Sequence, residues 1–274
     1  MLYVLLAVVA VKNFLNKINE SAVNEDLVGK IDYTLLNPSA TEDDILQLCE
    51  KADKLGVKSV CVLPKMVKIA AEALEDSEVL VCTVISFPHG TDSTEQKLAE
   101  TKQCIYDGAD ECDMVLNYPF LKEIFETEGD PEDMDPEDLD HGILILVDDV
   151  EALVEECHKN TNKDGDQVIL KVIVESGLLS GDETETATSI CLDAGADFIK
   201  TSTGMVAVGA ELDKVQIMRD TITADGSEMK IKASGGIRTM ADLQKFAPYV
   251  DRFGVGFGSV DSIFGGKIAG DSNY

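Results

Sequence analysis

Short apolar runs alternate with amphipathic stretches along most of this chain. Eight runs, at 30–35, 57–63, 79–86, 109–116, 168–174, 196–200, 229–233 and 252–257, are nearly continuously apolar. That is the pattern of strands covered on both faces. Between them apolar positions recur at helical spacing. Residues 43–55 place Ile45, Leu48 and Leu55 on one stripe, and 64–74, 93–106, 147–158, 183–194, 210–219 and 240–246 repeat the design. Thr41 followed by Asp44 reads as a capping box ahead of the first of these helices. Eight rounds of strand and helix predict a parallel sheet closed on itself, an α/β fold of the (β/α)8 TIM-barrel type. The structural rival is an open doubly wound sheet. It usually stops at five or six strands, and no G-x-G-x-x-G follows the first run.

The alternation has two interruptions. Between the fourth and fifth strands the spacing is about twice that elsewhere, and the excess, 126–141, is an acidic insertion. Residues 126–140 hold nine acidic side chains and no basic one. This reads as a solvated, mobile loop. A calcium loop is the sharper alternative, but the stretch lacks the glycine and closing glutamate of an EF-hand. Before the first strand, residues 1–24 form an extension with an apolar start, Leu2 to Val11. No basic residue precedes that start and no small-x-small site follows it, so it reads as an N-terminal helical extension packed on the barrel rather than a signal peptide. The expected organisation is a single domain across 1–274, with no run of eighteen apolar residues to span a membrane.

Composition narrows the function. Apolar residues make up 45% of the 274, enough for a substantial core. The net charge of −29 argues against nucleic acid, which needs a concentrated basic patch. It also suits a soluble protein in a salty medium. Seven cysteines, an odd number with no C-x-x-C pair, indicate free thiols in a reducing, cytoplasmic compartment. Three histidines without ligand spacing offer no zinc site, and no metal is expected.

In a barrel of this type chemistry gathers where the strands end. The sixth strand ends in Lys200 and the seventh in Lys232, the fourth carries Asp113, and the fifth carries Lys171 and ends in Glu175. Lysine is rarely buried without a partner or a task. Neighbouring strands lie about 4.8 Å apart, so both terminal amines can meet over the mouth. Each disfavours the other's charge, and a neutral amine attacks carbonyls. Lys200 is therefore the candidate Schiff-base nucleophile. Asp113, from a strand of the same layer, is placed to move protons. Blander readings stand beside these: Lys232 as a snorkelling lysine, Asp113 as a structural acid paired with Lys171, and Lys230 as structural, near the barrel bottom. For anion binding, Thr201-Ser202-Thr203-Gly204 follows the sixth strand, Ser234-Gly235-Gly236-Ile237-Arg238 the seventh, and Gly254-Val255-Gly256-Phe257-Gly258-Ser259 the eighth. Loops at those places commonly cradle phosphate. Cys61, at the end of the second strand, reads as a packing residue, with alkylation by a reactive enal as the sharper possibility.

Several of these segments carry a family resemblance. Ile31-Asp32-Tyr33-Thr34-Leu35-Leu36, Phe87-Pro88-His89-Gly90, Gly108-Ala109-Asp110-Glu111-Cys112-Asp113, Leu170-Lys171-Val172-Ile173-Val174-Glu175-Ser176-Gly177, Ala196-Asp197-Phe198-Ile199-Lys200-Thr201-Ser202-Thr203-Gly204 and Lys232-Ala233-Ser234-Gly235-Gly236-Ile237-Arg238 resemble the deoxyribose-phosphate aldolases, class I enzymes. The similarity runs over roughly 25–274. It implies reversible cleavage of 2-deoxyribose 5-phosphate to glyceraldehyde 3-phosphate and acetaldehyde through a Schiff base on Lys200, without a metal or other cofactor. Asp113 and Lys232 would serve the proton relay, and Asp32, Thr201 and Ser202 would meet the substrate. Gly204, Gly235, Gly236, Arg238, Gly254 and Gly256 would hold the phosphate. Tyr274 resembles a C-terminal tyrosine that aids proton transfer at the acetaldehyde carbon. The partners implied are a sugar phosphate and an aldehyde, with a homodimer possible. Three positions depart from the pattern. Met205 stands in place of a common lysine, Gly256 and Phe257 in place of serines, and Tyr33 in place of a histidine or threonine. These changes predict weaker phosphate binding and tolerance of unphosphorylated aldehydes. The rival readings are a barrel that has drifted to binding or scaffolding, or a Schiff-base aldolase for another sugar phosphate.

Overall fold

The computed structural model describes residues 26–127 and 136–264. Eight parallel strands close into a barrel in chain order: β1 (Ile31–Leu35), β2 (Ser59–Val62), β3 (Leu80–Ile85), β4 (Glu111–Val115), β5 (Ile169–Ile173), β6 (Phe198–Lys200), β7 (Lys230–Ser234) and β8 (Arg252–Gly256). Seven lie inside their expected runs, short by a residue or two at most ends, and β7 runs one residue past its expected 229–233. The flanking apolar positions pack without joining the ladder. Helices cover the outside: α1 (Glu42–Leu55), α2 (Val67–Ala73), α3 (Thr94–Tyr106), α4 (Tyr118–Thr127), α5 (Pro136–His158), α6 (Gly181–Asp193), α7 (Leu212–Asp225), α8 (Met240–Phe246) and the short α9 (Val260–Phe264). A 3-10 turn over Pro64–Met66 leads into α2. α1 begins as expected, with Thr41 and Asp44 exchanging side-chain and backbone bonds.

Two differences matter. The sequence pattern predicts no helix over Tyr118–Thr127, yet α4 forms there and buries Tyr118, Leu121 and Ile124. Pro119 reads as a breaker, but it sits in the first turn, where a missing N–H costs nothing. α5 starts at Pro136, well before the expected 147, so the second half of the acidic insertion is helix and not loop. Proline at a first helical position again explains the start. Residues 128–135, the N-terminal extension through 25, and the tail from 265, including Tyr274, lie outside the described residues.

Register sets the interior. Asp113 is the Cα partner of Lys171, Lys200 of Lys232, and Lys232 of Arg252. Strands β4 to β8 thus bring charged side chains to the interior. Beside them Cys61 of β2 pairs with Cys82 of β3, and with Leu36 and Val84 they form a small cluster whose Cys82 touches Asp113.

Candidate active site

Lys200 and Lys232 converge on a single oxygen. Lys200 Nζ donates to Asp113 Oδ2 at 2.7 Å and Lys232 Nζ to the same atom at 2.6 Å. The other oxygen, Oδ1, accepts from Lys171 Nζ at 2.9 Å. Asp113 thus pairs with Lys171 through one oxygen and with Lys200 and Lys232 through the other. A second tier lies beneath. Lys171 reaches Glu111 at 2.7 Å, and Arg252 pairs with Glu111 and, at 3.2 Å, with Asp32. Asp32 Oδ2 lies 2.5 Å from Lys232 Nζ, a close ion pair without an aligned hydrogen bond, and Ser59 Oγ donates to Asp32 Oδ1 at 2.8 Å. All seven charged groups are buried. Each is neutralised by neighbours, the condition for charge to persist away from water.

Burial alone raises the Asp113 carboxyl. The Lys171, Lys200 and Lys232 charges outweigh it and hold Asp113 well below the usual carboxylate range. Burial likewise raises Asp32, and Arg252, Lys232 and Lys171 reverse that, leaving it lowered. Lys232 moves the other way. Burial would lower it, but Asp113 and Asp32 raise it above the ordinary lysine range. Lys232 is thus a fixed cation, and Asp113 is an anion next to Lys200. Lys200 ends β6 as expected, whereas Lys232 lies in the middle of β7, two residues before its end, and a carboxylate stands between the two amines.

Above this floor opens a cavity of about 460 Å³. Lys200 lies at its base, and Gly204, Gly235, Gly236, Arg238, Gly254 and Gly256 all line it. Thr203, Met205, Ser234 and Ser259 share the wall. Gly204, Gly235 and Gly236 take φ near +80°, which only glycine adopts without strain.

Asp32, Thr201 and Ser202 do not line this cavity. Asp32 sits two residues below Thr34, which does line it, and is one tier too deep. Thr201 is spent on stitching: its hydroxyl donates to Ser234 O and accepts from Ser234 N, both at 3.0 Å. Ser202 is fully buried and its carbonyl accepts from Ser234 Oγ at 2.5 Å. Tyr33 points to the opposite side of β1. Its hydroxyl donates to Phe257 O at 3.2 Å and its ring stacks on Phe257 at 5.5 Å, so two of the departures from the family pattern form one packing pair outside the cavity. Cys61 is fully buried in its apolar cluster and is not part of the lining, in keeping with packing. Lys230 is exposed, its amine 5.6 Å from the Phe198 ring centre. Glu111 and Arg252 were not singled out from sequence. Glu111 is two residues from Asp113 and so shares its face, a signal that period-two reading makes available.

A closed (β/α)8 barrel with a lysine at its mouth, a shared acid below and a glycine wall above defines a class, the barrel aldolases. A sequence model of the DeoC/LacD aldolase family matches residues 145–251. The deoxyribose-phosphate aldolase of Mycoplasmoides pirum is 42% identical over 214 residues, which is 78% of this chain and 86% of that one. Deoxyribose-phosphate aldolase 1 of Staphylococcus aureus is 42% identical over 215 residues, 78% of this chain and 85% of that one. Among solved structures, a putative deoxyribose-phosphate aldolase from Coccidioides immitis superposes with a TM-score of 0.73 at 35% identity, covering 86% of this chain and 83% of its own. The deoxyribose phosphate aldolase of Aeropyrum pernix, described as a unique tetramer, gives 0.70 at 28%, covering 87% and 90%. The chain belongs to the deoxyribose-phosphate aldolase family.

Proposed function

We propose that this chain cleaves 2-deoxyribose 5-phosphate reversibly to glyceraldehyde 3-phosphate and acetaldehyde, with Lys200 as the Schiff-base nucleophile. The observation that carries the reading is the shared Asp113 oxygen, 2.7 Å from Lys200 and 2.6 Å from Lys232, at the base of the cavity. Lys200 passes a proton to Asp113 and its amine adds to C1 of the open-chain sugar. Asp113 returns the proton to the carbinolamine oxygen, water leaves, and an iminium remains. Asp113, again a carboxylate, takes up the C3 hydroxyl proton, and the C2–C3 bond breaks. Its electron pair moves into the enamine, and glyceraldehyde 3-phosphate departs. Protonation at C2 and hydrolysis then release acetaldehyde and restore Lys200. Lys232, a cation on the same oxygen, favours the ionised form of Asp113, so a proton that Asp113 accepts is held weakly and readily handed on.

The proposal gives C2 protonation to Tyr274. Tyr274→Phe tests it through deuterium exchange into acetaldehyde, which this role requires to slow. The buried free cysteines support a cytoplasmic home, and no helix among the described residues is long and apolar enough to cross a membrane. A homodimer is part of the same proposal, and sedimentation velocity measures it. The central test is a coupled retro-aldol assay with borohydride trapping. Lys200→Ala is expected to lower turnover by at least about 10⁴-fold and to lose the trapped adduct. An adduct on another lysine overturns the assignment.

A further inference from the structure

Glu175 is a fully buried carboxylate just past the end of β5 that the reaction above does not use. Its backbone is left-handed, with φ 52° and ψ 48°, a region a glutamate enters only when its surroundings hold it there. Unlike Asp32, Glu111 and Asp113, it binds no lysine or arginine among the described residues. Among the described residues, its side-chain hydrogen bonds all run to Thr203. The Thr203 amide donates to Oε1 at 3.2 Å, and the Thr203 hydroxyl donates to Oε2. That hydroxyl in turn accepts from the Met205 amide at 3.0 Å. A chain of bonds thus runs from Met205 through Thr203 to Glu175, and it spans Thr203, Gly204 and Met205, three consecutive residues of the cavity wall.

We infer that Glu175 is a positioning residue: through Thr203 it holds the loop after β6 in the shape that receives the phosphate-bearing end of the substrate. The strained backbone is the means, since it turns the carboxylate from the strand direction toward the loop of the next strand. The neighbouring backbone supports the same docking, with Ser176 N donating to Thr201 O at 2.8 Å. A bond chain that ends on a carboxylate is stronger than one between neutral groups, so the loop is pinned by its buried end and left open at its exposed end. Burial raises the Glu175 carboxyl and the Thr203 bonds oppose that rise, in accord with a group retained for its contacts.

This inference rests on the aldolase reading, and the experiment separates the two. Glu175→Gln, Glu175→Ala and Thr203→Val are compared with the unaltered protein on 2-deoxyribose 5-phosphate and on 2-deoxyribose without phosphate. Borohydride trapping of acetaldehyde is run alongside. For Glu175→Ala and Thr203→Val we expect KM for the phosphorylated sugar to rise about tenfold, the size of a lost charge-assisted bond. Glu175→Gln, which keeps one acceptor, should rise less. In Glu175→Gln, trapping on Lys200 and kcat/KM for the unphosphorylated sugar should hold. An unchanged KM in Glu175→Gln and Thr203→Val overturns the inference. So does loss of kcat and trapping with KM held, which places Glu175 at the reacting carbon. Failure of the unaltered protein to trap acetaldehyde defeats the aldolase reading instead.

Discussion

The floor of the cavity is built from side chains and its wall largely from backbone. On the floor, Asp113 is held by Lys171, Lys200 and Lys232, and Asp32 and Glu111 by Arg252 and its neighbours, all out of water. The wall carries five glycines, with Gly204, Gly235 and Gly236 in left-handed conformations and Arg238 exposed at the edge. The floor has a fixed charge pattern because each group is fenced by opposite charges. The wall has little side-chain charge and offers shape and peptide groups. Chemistry that moves protons needs the first. A substrate end that only has to be recognised can use the second, and deleting a side chain cannot remove what glycine supplies. Adding one can.

The largest expected effect tests the floor. Asp113→Asn leaves three lysines around a neutral amide. It should destabilise the fold by about 3–5 kcal/mol, read as a shift in the urea midpoint, and should slow the reaction severely. The same network sets the pH response. Asp113 and Asp32 are lowered in the fold, so their contribution is present above the ordinary carboxylate range and is lost as pH falls through their depressed values. Lys232 is raised, so its contribution is present below the ordinary lysine range and is lost as pH climbs through its elevated value. Stability should be flat across neutral pH, and Asp113→Asn should blunt the acid limb. An acid limb as steep as before would separate Asp113 from the network.

Gly235→Ala tests the wall. With φ at 81° and a Cβ that would stand 2.9 Å from Gly209 Cα, it should cost about 1–2 kcal/mol and raise KM. Gly256→Ala is the control, because its Cβ meets nothing within 4 Å. Its melting temperature should hold while KM rises modestly. Equal destabilisation by the two would erase the distinction drawn here. The smallest effect is at the rim. Met205 lines the cavity and is 53% exposed. Met205→Lys adds a cation beside the glycines and should lower KM for the phosphorylated sugar by about two- to fivefold, with the gain shrinking as salt is added. A gain equal for the unphosphorylated sugar would show that the lysine does not read phosphate.

What was legible in the sequence follows the same division. The strands were visible because both of their faces are covered, and Lys200 and Lys232 because an amine closing an apolar run is conspicuous. Asp113 was found by strand order. Depth was harder to read. Asp32 has the right parity but lies one tier below Thr34, and a sequence carries parity better than height. Thr201 and Ser202 lie past the end of β6, where alternation no longer says which way a side chain turns, and both went to the seam with Ser234. Glu175 was visible as a strand end, but its partner Thr203 could be named only from coordinates, because a left-handed glutamate has no sequence signature.

Arg252 opens β8, the last strand to be made, and it closes the circle onto Glu111 of β4 and Asp32 of β1. Gly254 and Gly256 arrive on the same strand. A nascent chain that stops short of residue 252 therefore leaves Asp32 and Glu111 without their guanidinium and the cavity without two of its glycines. The interior charge pattern and the cavity wall are completed by the same few late residues.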